Sequence, residues 1–448
     1  MPKTIEYKTS VEVTQSPEVL VTGGGIAGVC AAVAAARTGA KTLLVERLGM
    51  LGGDGTAGGV SIFMNWKSGE KSLCGGLFQE ILDRLAKKNA IIQNAFHPEG
   101  MKQVLLEMLV DSKVQLVFHS QVVDAVVENN RVDALIFSGK SKLFAITPKI
   151  VVDATGDGDV AYYSGVPYEK GKHPTGELQA MTLMFRIGGV EIDKTIDDVA
   201  AAPEQFFKWS TKTKGASRAS IAGYFDLTKK GQEEGTYPKP IHQHIFFYST
   251  LIPGEVELNT THVPGLDGST GEGLTTAEVD ARYQAWMVWN FLRDNVAGFK
   301  NSFITTTAPQ IGVRETRRIT GEYVFSGQDV INAKKFDDGI ACGNYPIDLH
   351  DEESQTFMSG GPKPGDYYHI PYRCLVPLKI DNMLIAGRCI SSTREGQGAM
   401  RIMPIVAVVG HAAGAAAALC IKNKITPRGL ITRVEELRQV LKQQHAVL

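Results

Sequence analysis

A glycine pattern near the N-terminus has the residue types and spacing of a dinucleotide-binding turn. Gly23, Gly25 and Gly28 form G-x-G-x-x-G between the apolar run 19–22 and an alanine-rich stretch that reaches Arg37. The first glycine of such a turn permits a tight bend, the second lets the backbone approach a pyrophosphate, and the third lets helix and strand pack closely. The N-terminus of the following helix offers unpaired N–H groups and partial positive charge to phosphates. The stretch therefore predicts a strand–turn–helix unit that binds a dinucleotide.

Two features after this unit bear on the same ligand. Glu46 closes the predicted second strand, residues 41–45, where a carboxylate can accept hydrogen bonds from ribose hydroxyls. A second glycine pattern, residues 53–58, has no strand before it and no regular helical pattern after it. We therefore predict a loop whose glycines let the backbone approach a ligand held by the first motif.

An arginine-rich segment in the second half of the chain offers groups that bind anions. In the stretch IGVRETRRITGEY, Arg314, Arg317 and Arg318 stand at i, i+3 and i+4 and would share one face if the segment were helical. One interpretation is a solvated basic face paired with Glu315 and Glu322. The other is a clamp for a substrate carboxylate or phosphate, because a guanidinium can donate two parallel hydrogen bonds.

Two further segments hold candidate catalytic groups. In YYHIPYRCLVP, His369 or Tyr372 could donate or accept a proton. This segment precedes the predicted return to the nucleotide-binding domain, and ligand pockets favour domain junctions. Arg394 and Glu395 follow a late glycine turn and form either a loop salt bridge or part of the site.

No metal-binding pattern is evident among the histidines and cysteines. His242 and His244 stand two residues apart in HQH and would share one face of a strand. With no convincing third ligand, we expect satisfied or exposed histidines rather than a metal site. The 6 cysteines form no C-x-x-C pair, which argues against a disulfide framework and favours a reducing compartment.

The elements that position these groups alternate between two patterns along the chain. Buried strands, glycine turns and apolar helices predict an α/β fold with a Rossmann-like domain, into which an α+β substrate domain is inserted. Four strands between residues 114 and 148 predict a β-meander. The predicted boundaries are an extension at 1–17, the first part of the nucleotide-binding domain at 18–160, the inserted domain at 161–370, the return segment at 371–425 and a C-terminal helix at 426–448.

Composition limits the partners. The chain has 448 residues and a formal net charge of −1, so nothing indicates a nucleic-acid partner. Residues 402–421 are apolar enough to span a membrane, but their alanine and glycine content favours a buried helix. The polar N-terminus lacks the apolar core of a signal peptide. We therefore expect a cytoplasmic protein with no membrane partner; the oligomeric state stays open.

Three separated motifs carry a resemblance to a known family. The first glycine turn, VVDATGDGD and NMLIAGRCISSTREGQGAM occur in one order that resembles flavoproteins with a glutathione-reductase-type FAD domain. The segments GGLFQEIL, IGVRETRRITGEY and AGRCISS resemble the FAD-dependent oxidoreductase family more narrowly. The resemblance spans most of residues 18–421 and implies noncovalently bound FAD, substrates that vary widely, and distant kinship with fumarate-reductase-type flavoproteins.

The resemblance also implies site residues. It makes Arg314 the best candidate for substrate binding and places a helix from Gly398 with its N-terminus toward the flavin. Many relatives have an aspartate where this chain has Arg388, which leaves that arginine only a role in compensating phosphate charge. The predicted FAD contacts are Gly23, Gly25, Ile26, Ala27, Gly28, Glu46, Arg47, Gly53, Thr56, Val122, Thr155, Gly156, Asp157, Gly387, Arg388, Gly398 and Met400.

These observations together predict a flavoenzyme that moves a hydride between a small anionic or carbonyl-bearing substrate and flavin N5. The chain shows no second strand–glycine–helix unit for NAD(P)H, and its electron donor or acceptor is unknown. Two alternatives stay open. One is a flavin monooxygenase, although the hydroxylase fingerprint after residue 157 is incomplete. The other is a non-catalytic flavoprotein that transfers electrons or binds a partner.

Overall fold

A five-stranded parallel sheet forms the centre of the nucleotide-binding part. The computed structural model describes residues 4–210, 218–350 and 360–448. The strand order is Met383–Ile385, Ile150–Asp153, Val19–Thr22, Thr42–Val45 and Gln115–Val117, and each neighbouring pair is parallel. All but the last strand are wholly buried. Burial on both faces is why these strands are short apolar runs rather than alternating patterns.

The helices of the described residues surround this sheet and a second one. In chain order they are α1 Ile26–Arg37, α2 Leu77–Lys87, α3 Pro98–Asp111, α4 Asp159–Tyr163, α5 Ile192–Ala201, α6 Phe225–Glu234, α7 Gly271–Asn295, α8 Gly327–Ile331, α9 Arg394–Met400, α10 Met403–Asn423 and α11 Val434–Gln443.

Helix α10 packs backbone to backbone against α1. A Cβ atom at Gly410 would lie 2.1 Å from the carbonyl oxygen of Ala27, and one at Gly414 would lie 1.9 Å from that of Ala31. Within the described residues, α10 is the one helix long and apolar enough to cross a membrane, and 89% of its most apolar window is buried inside the protein. The burial agrees with the predicted buried helix and accounts for the small residues of this segment.

A four-stranded sheet corrects the predicted meander. Its order is Glu12–Gln15, Leu143–Ile146, Arg131–Ser138 and Gln121–Glu128. The first of the four predicted strands instead joins the parallel sheet as Gln115–Val117, and the segment predicted as an N-terminal extension supplies the missing strand. The alternation of apolar residues predicts a strand but does not select its partner, which is why the sequence analysis misplaced it.

The fold has two bodies: the first contains the parallel sheet, and the second is built on an antiparallel sheet. Its strand order is Ser220–Gly223, Ile245–Ser249, Val256–Leu258, Phe185–Gly188 and Phe303–Thr307, with every neighbouring pair antiparallel. Side chains of this sheet share a core with the helices α5 to α7. A smaller cluster on Met181, Met184 and Ala308 packs against Val60 and Ile62 of the first body.

The packing also differs from the predicted return at residue 371. Ile319, Phe325 and Tyr368 lie in the same core as the parallel sheet, so the chain leaves the second body near residue 316. A strand rich in aromatic residues has the same sequence pattern whichever hydrophobic core it joins, so the pattern does not show to which of the two cores such a strand belongs. Short two-stranded pairs complete the fold: Lys67–Ser68 with Lys71–Ser72, Ile91–Ile92 with Ala95–Phe96, Tyr168–Lys170 with Arg317–Ile319, and Gly339–Gly343 with Tyr368–Pro371.

Candidate active site

A cleft of about 250 Å³ opens where the strands of the parallel sheet end. Gly23, Glu46, Ala154 and Gly387 line it, and each follows the carboxyl end of a different strand. The second body closes the other side with residues 310–313 and parts of the segment 268–278. Open α/β sheets bind their ligands at this edge. The other predicted cofactor contacts that line the cleft are Gly25, Ile26, Ala27, Arg47, Gly53, Thr155, Gly156, Asp157 and Arg388.

The three glycines of the first motif have two different roles: two allow close packing of the backbone, and one leaves the backbone accessible to a ligand. A Cβ atom at Gly23 would lie 2.4 Å from the carbonyl oxygen of Ala154, and one at Gly28 would lie 1.8 Å from that of Gly23. At Gly25 no heavy atom lies within 4 Å of that position. Gly25 also caps α1 without a side-chain hydrogen bond, so the first N–H groups of the helix face open space. This end of the cleft fits a pyrophosphate.

Glu46 holds the turn as well as facing the cleft. Its two carboxylate oxygens accept hydrogen bonds from the backbone N–H of Gly24 at 2.5 Å and of Leu48 at 2.7 Å. Each carboxylate oxygen retains a second lone pair, so Glu46 can still accept a ribose hydroxyl.

Arg388 is neutralised by the protein itself. Its Nη2 lies 2.7 Å from Oδ1 of Asp157, and its Nη1 donates to Thr316. Thr316 in turn donates to Asp157. Arg388 is predicted to compensate the charge of the cofactor phosphates. Because the guanidinium already has a carboxylate partner, Asp157 competes with the phosphates for it.

Several predicted FAD contacts do not line the cleft. Thr56 donates to the carbonyl of Leu51 and fixes the loop, while Val122 lies in the four-stranded sheet opposite Phe137. Gly28 serves packing. The side chains of Thr56 and Val122 and the Cβ position of Gly28 point into protein.

The late helix also begins later than predicted. The segment from Gly398 is divided into α9 and α10, and Pro404 occupies the first turn of α10, where its fixed φ and missing N–H favour a helix start. Met403 and Val406 of α10 line the cleft. Gly398 and Met400 do not, because Gly398 packs on the backbone of Asp348 and Met400 is buried.

Arg314 lies beside this cleft in a segment without regular secondary structure rather than in a helix. Its Nη1 donates to the carbonyl of Ala180 at 2.6 Å and to the hydroxyl of Thr182 at 2.7 Å. Among the described residues, no carboxylate lies within ion-pair distance of it. Burial, and after it the charge of Arg401, lower the pKa of Arg314 to about 10. The guanidinium remains charged at neutral pH, and the carboxylates that act on it, Asp348 and Asp54, do so only from beyond ion-pair distance.

The other two arginines of the triplet have different roles, because the segment forms the strand Arg317–Ile319. Arg317 pairs with Asp159 at 2.9 Å and lies over the ring of Tyr162. Arg318 is buried and pairs with Glu315. The predicted helical face does not form. Of its two predicted partners, Glu315 does pair with an arginine of the triplet, Arg318, whereas Glu322 pairs with Arg428 instead.

Arg394 lies in the core beneath the site. Its Nε donates to Glu315 at 2.9 Å, so the predicted loop salt bridge has a distant partner instead of the adjacent glutamate. Glu315 thus joins two buried arginines, Arg318 and Arg394. Glu315 directly follows Arg314 and precedes the strand Arg317–Ile319, so this arrangement fixes the backbone beside Arg314, and Arg394 contributes to it from the core.

His369 and Tyr372 lie away from the cleft, which corrects their prediction as proton-transfer groups. Tyr372 is fully buried and donates its hydroxyl to the carbonyl of Pro427 at 2.9 Å. Burial raises the pKa of Tyr372. Nδ1 of His369 contacts the backbone of Phe336 at 3.2 and 3.3 Å. His369 lies on the strand Tyr368–Pro371 and Tyr372 begins the short 3-10 helix Tyr372–Leu375 that follows it, and both side chains contact protein rather than the cleft.

A cluster of histidines adjoins Arg314 from both bodies. The rings of His242 and His262 are 4.4 Å apart, and those of His242 and His244 are 5.7 Å apart and stacked. Nε2 of His350 lies 3.1 Å from Oδ1 of Asp348. Burial first, with neighbouring positive charges, lowers the pKa of His244 to about 4 and of His262 to about 3. In the described part of the chain, no group of three or more His, Cys, Asp or Glu is arranged to hold a metal.

Asp348 links this cluster to the cofactor cleft. Its carboxylate contacts Arg401 at 3.4 Å and the hydroxyl of Tyr345 at 3.3 Å, and Arg401 lines the cleft. Burial opposes ionisation, but the hydrogen bond from His350 and the nearby arginines lower the pKa of Asp348 to about 2. The sequence analysis missed Tyr345, Asp348, His350 and Arg401, whose only local signal is an Asp and a His two residues apart.

The fold and the cleft define a Rossmann-type flavoprotein, and the comparison with protein families identifies which one. A profile of the FAD dependent oxidoreductase family matches residues 18–441. The chain belongs to this family, so it is an FAD-dependent oxidoreductase and its cofactor is FAD. No curated protein sequence matches the chain.

Three solved flavoprotein or reductase-like structures are similar to this chain at low sequence identity. A geranylgeranyl bacteriochlorophyll reductase-like protein from Thermoplasma acidophilum is 12% identical, with 95% of this chain and 83% of that one covered and a TM-score of 0.48. The flavin-dependent brominase Bmp2 is 13% identical, with 92% and 80% covered and a TM-score of 0.47. L-proline dehydrogenase from P. horikoshii is 13% identical, with 93% and 95% covered and a TM-score of 0.42.

Proposed function

We propose that this oxidoreductase exchanges a hydride between FAD and a small organic anion held by Arg314. Bound FAD supplies the hydride acceptor or donor. The chain itself must hold the substrate, exclude water and balance the proton, because hydride transfer moves one hydrogen nucleus with two electrons. The observation that carries the proposal is the position of Arg314 beside the cleft, half-buried, with no carboxylate within ion-pair distance among the described residues.

The surroundings of Arg314 support an anion as its partner. A buried charge is costly unless it is paired, and the hydrogen bonds of Arg314 to Ala180 and Thr182 orient it without neutralising it. Arg401 and Asp348 carry opposite charges and contact each other. With the histidines neutral, Arg314, Arg401 and Asp348 together carry one net positive charge. Burial raises the pKa of the nearby Asp54, which disfavours a second negative charge there, so the surroundings favour a substrate with one negative group.

The experiment compares holoenzymes by stopped-flow absorbance of the oxidised flavin. Under anaerobic conditions the protein is mixed with a panel of 2-hydroxy acids, 2-amino acids and saturated carboxylic acids. The best substrate of the panel is then tested on Arg314→Lys, with Arg433→Lys, at an exposed ion pair, as the matched control. Arg314→Lys keeps the charge but loses the planar pair of donors, so we expect flavin bleaching to slow by at least about tenfold, a loss of about 1.4 kcal/mol.

The outcomes separate the proposal from its alternatives. Equal bleaching rates in the two variants, at equal FAD content, would overturn the role of Arg314. Oxygen consumption that requires both NADH and an organic substrate would support the flavin monooxygenase instead. Two statements remain predictions from the sequence: the kinship with glutathione-reductase-type and fumarate-reductase-type proteins, and the cytoplasmic location. The electron partner is not identified.

A further inference from the structure

His350 and Arg314 are held by the same pair of residues. The backbone N–H of His350 donates to Oε1 of Gln179 at 3.2 Å, and its carbonyl accepts from the N–H of Ala180 at 3.2 Å. The carbonyl of Ala180 accepts from Arg314 at 2.6 Å. Hydrogen bonds thus hold the main chain of His350 at both its N–H and its carbonyl, and the charge of Arg314 acts on the imidazole of His350.

The imidazole of His350 is oriented by a carboxylate. Its Nε2 lies 3.1 Å from Oδ1 of Asp348, so Nε2 carries the proton in the neutral ring and faces the carboxylate. Asp348 is held in turn by Arg401 and Tyr345. Nucleophiles and bases in active sites have this arrangement of a titrating group oriented by a third residue.

We propose that His350, oriented by Asp348, accepts the O–H or N–H proton that the substrate anion held by Arg314 releases when it is oxidised, and returns it in the reverse reaction, so that anion binding and protonation of His350 are coupled. This inference rests on the proposed function. It names the group that balances the proton, and it replaces His369 and Tyr372 in that role.

Electrostatics gives the coupling its sign. Among the described residues, the charged and titratable groups that act on His350 are Arg314, Arg401, Asp348, His244 and His262. Burial first, and then the charge of Arg314, lower the pKa of His350 to about 4. An anion at Arg314 cancels part of that positive field and raises the pKa of His350 toward the ordinary value of about 6.5. By reciprocity, protonation of His350 must tighten anion binding.

The test measures binding of trifluoroacetate to the oxidised holoenzyme, because this carboxylate stays ionised in the range of interest. Affinity is obtained from the rise in melting temperature with concentration at constant ionic strength, and proton uptake from calorimetry in buffers of different ionisation heat. We expect affinity to strengthen as the pH falls from about 7 to about 5, by up to tenfold per pH unit, together with net proton uptake.

Three variants locate the effect. His350→Gln keeps a donor for Asp348 but cannot titrate, so it should still bind trifluoroacetate with little pH dependence and no proton uptake. His369→Gln is the matched control and should retain both. Arg314→Gln should lose binding at every pH. FAD content and melting temperature of each variant without trifluoroacetate verify the fold.

Each result decides one part of the proposal. Binding without pH dependence in the wild-type protein, or an unchanged pH dependence in His350→Gln, would overturn the role of His350 while leaving Arg314 as the anchor. Absence of binding to the wild-type protein at any pH would overturn the anchor itself, and with it the proposed function.

Discussion

The cofactor cleft and the cluster around Arg314 are built from different parts of the chain. At the first glycine turn, the groups that face the ligand are backbone N–H groups, left accessible by Gly25 at the start of α1, and Arg388 is already paired with Asp157. Around Arg314 the groups are side chains, and they come from both bodies of the protein. The cleft thus supplies shape and a helix dipole, whereas the cluster supplies charge and titratable groups.

This difference predicts which substitutions should change cofactor affinity and which should change stability, substrate binding and pH dependence. Backbone recognition depends on glycine and helix geometry, so substitutions in the cleft should act on FAD affinity. Recognition by buried side chains depends on charge balance, so substitutions in the cluster should act on stability, substrate binding and pH dependence.

The largest effect is expected at Glu315, which is fully buried between Arg318 and Arg394. Glu315→Gln removes the buried carboxylate that Arg318 and Arg394 share, and breaking such a buried pair costs about 3–5 kcal/mol. Urea unfolding of the holoenzyme measures the loss. Glu322→Gln is the control, because its partly exposed pair with Arg428 should contribute less than about 1 kcal/mol. Equal losses in the two variants would contradict the role of Glu315 as the anchor of this strand.

The next effect distinguishes two glycines of one motif. Gly25→Ala adds a methyl group to open space, so the apoprotein should keep its melting temperature, while FAD affinity falls by about tenfold to a hundredfold because the backbone can no longer approach the pyrophosphate. Gly28→Ala adds a methyl group 1.8 Å from the carbonyl oxygen of Gly23 and should destabilise the apoprotein. Fluorescence titration with FAD and thermal unfolding measure the two properties. Normal FAD affinity in Gly25→Ala would remove the basis of the comparison.

The same contrast explains what could be predicted from the sequence. The nucleotide-binding unit is local: strand 19–22, the glycines and α1 are consecutive, so their spacing carries the information. The partner of a strand is not local, and the segments 12–15 and 115–117 were therefore assigned to the wrong places. Sequence periodicity predicts an element, but side-chain packing far along the chain selects its neighbour.

The candidate site shows this limit most clearly. Arg314 was predicted from a local cluster of arginines, but its surroundings come from Ala180, Asp348, His350 and Arg401, which share no spacing. The triplet itself was misread, because helical spacing also occurs in a segment that forms a strand. Charge balance between distant segments, rather than a motif, distinguishes Arg314 from its neighbours.

A smaller effect is expected at Glu46, which combines both kinds of recognition. Glu46→Ala should lower FAD affinity by about tenfold, because a carboxylate bonded to ribose hydroxyls contributes about 1.5–3 kcal/mol. It should also lower the melting temperature of the apoprotein, since the N–H groups of Gly24 and Leu48 lose their acceptor. Titration of the apoprotein with FAD measures the first effect. Unaltered affinity would show that Glu46 serves the turn alone.

The smallest effect is expected at the two residues that the structure removes from the site. Tyr372→Phe deletes the hydroxyl that donates to Pro427 and should cost about 1 kcal/mol of folding free energy, while His369→Gln, at a half-buried position beside Phe336, should cost less. Neither change touches the cleft or the cluster, so flavin bleaching by the best substrate should be unchanged once FAD content is matched. Stopped-flow absorbance measures the bleaching rate of each variant, and the rate of Arg314→Lys measured in the same experiment shows how large a loss at the site would be. Suppose that bleaching slows by about tenfold in either variant while its FAD content and fold stay intact. That residue would then take part in the reaction. A buried packing group that does not contact the reacting atoms can change the rate only by changing the fold as well.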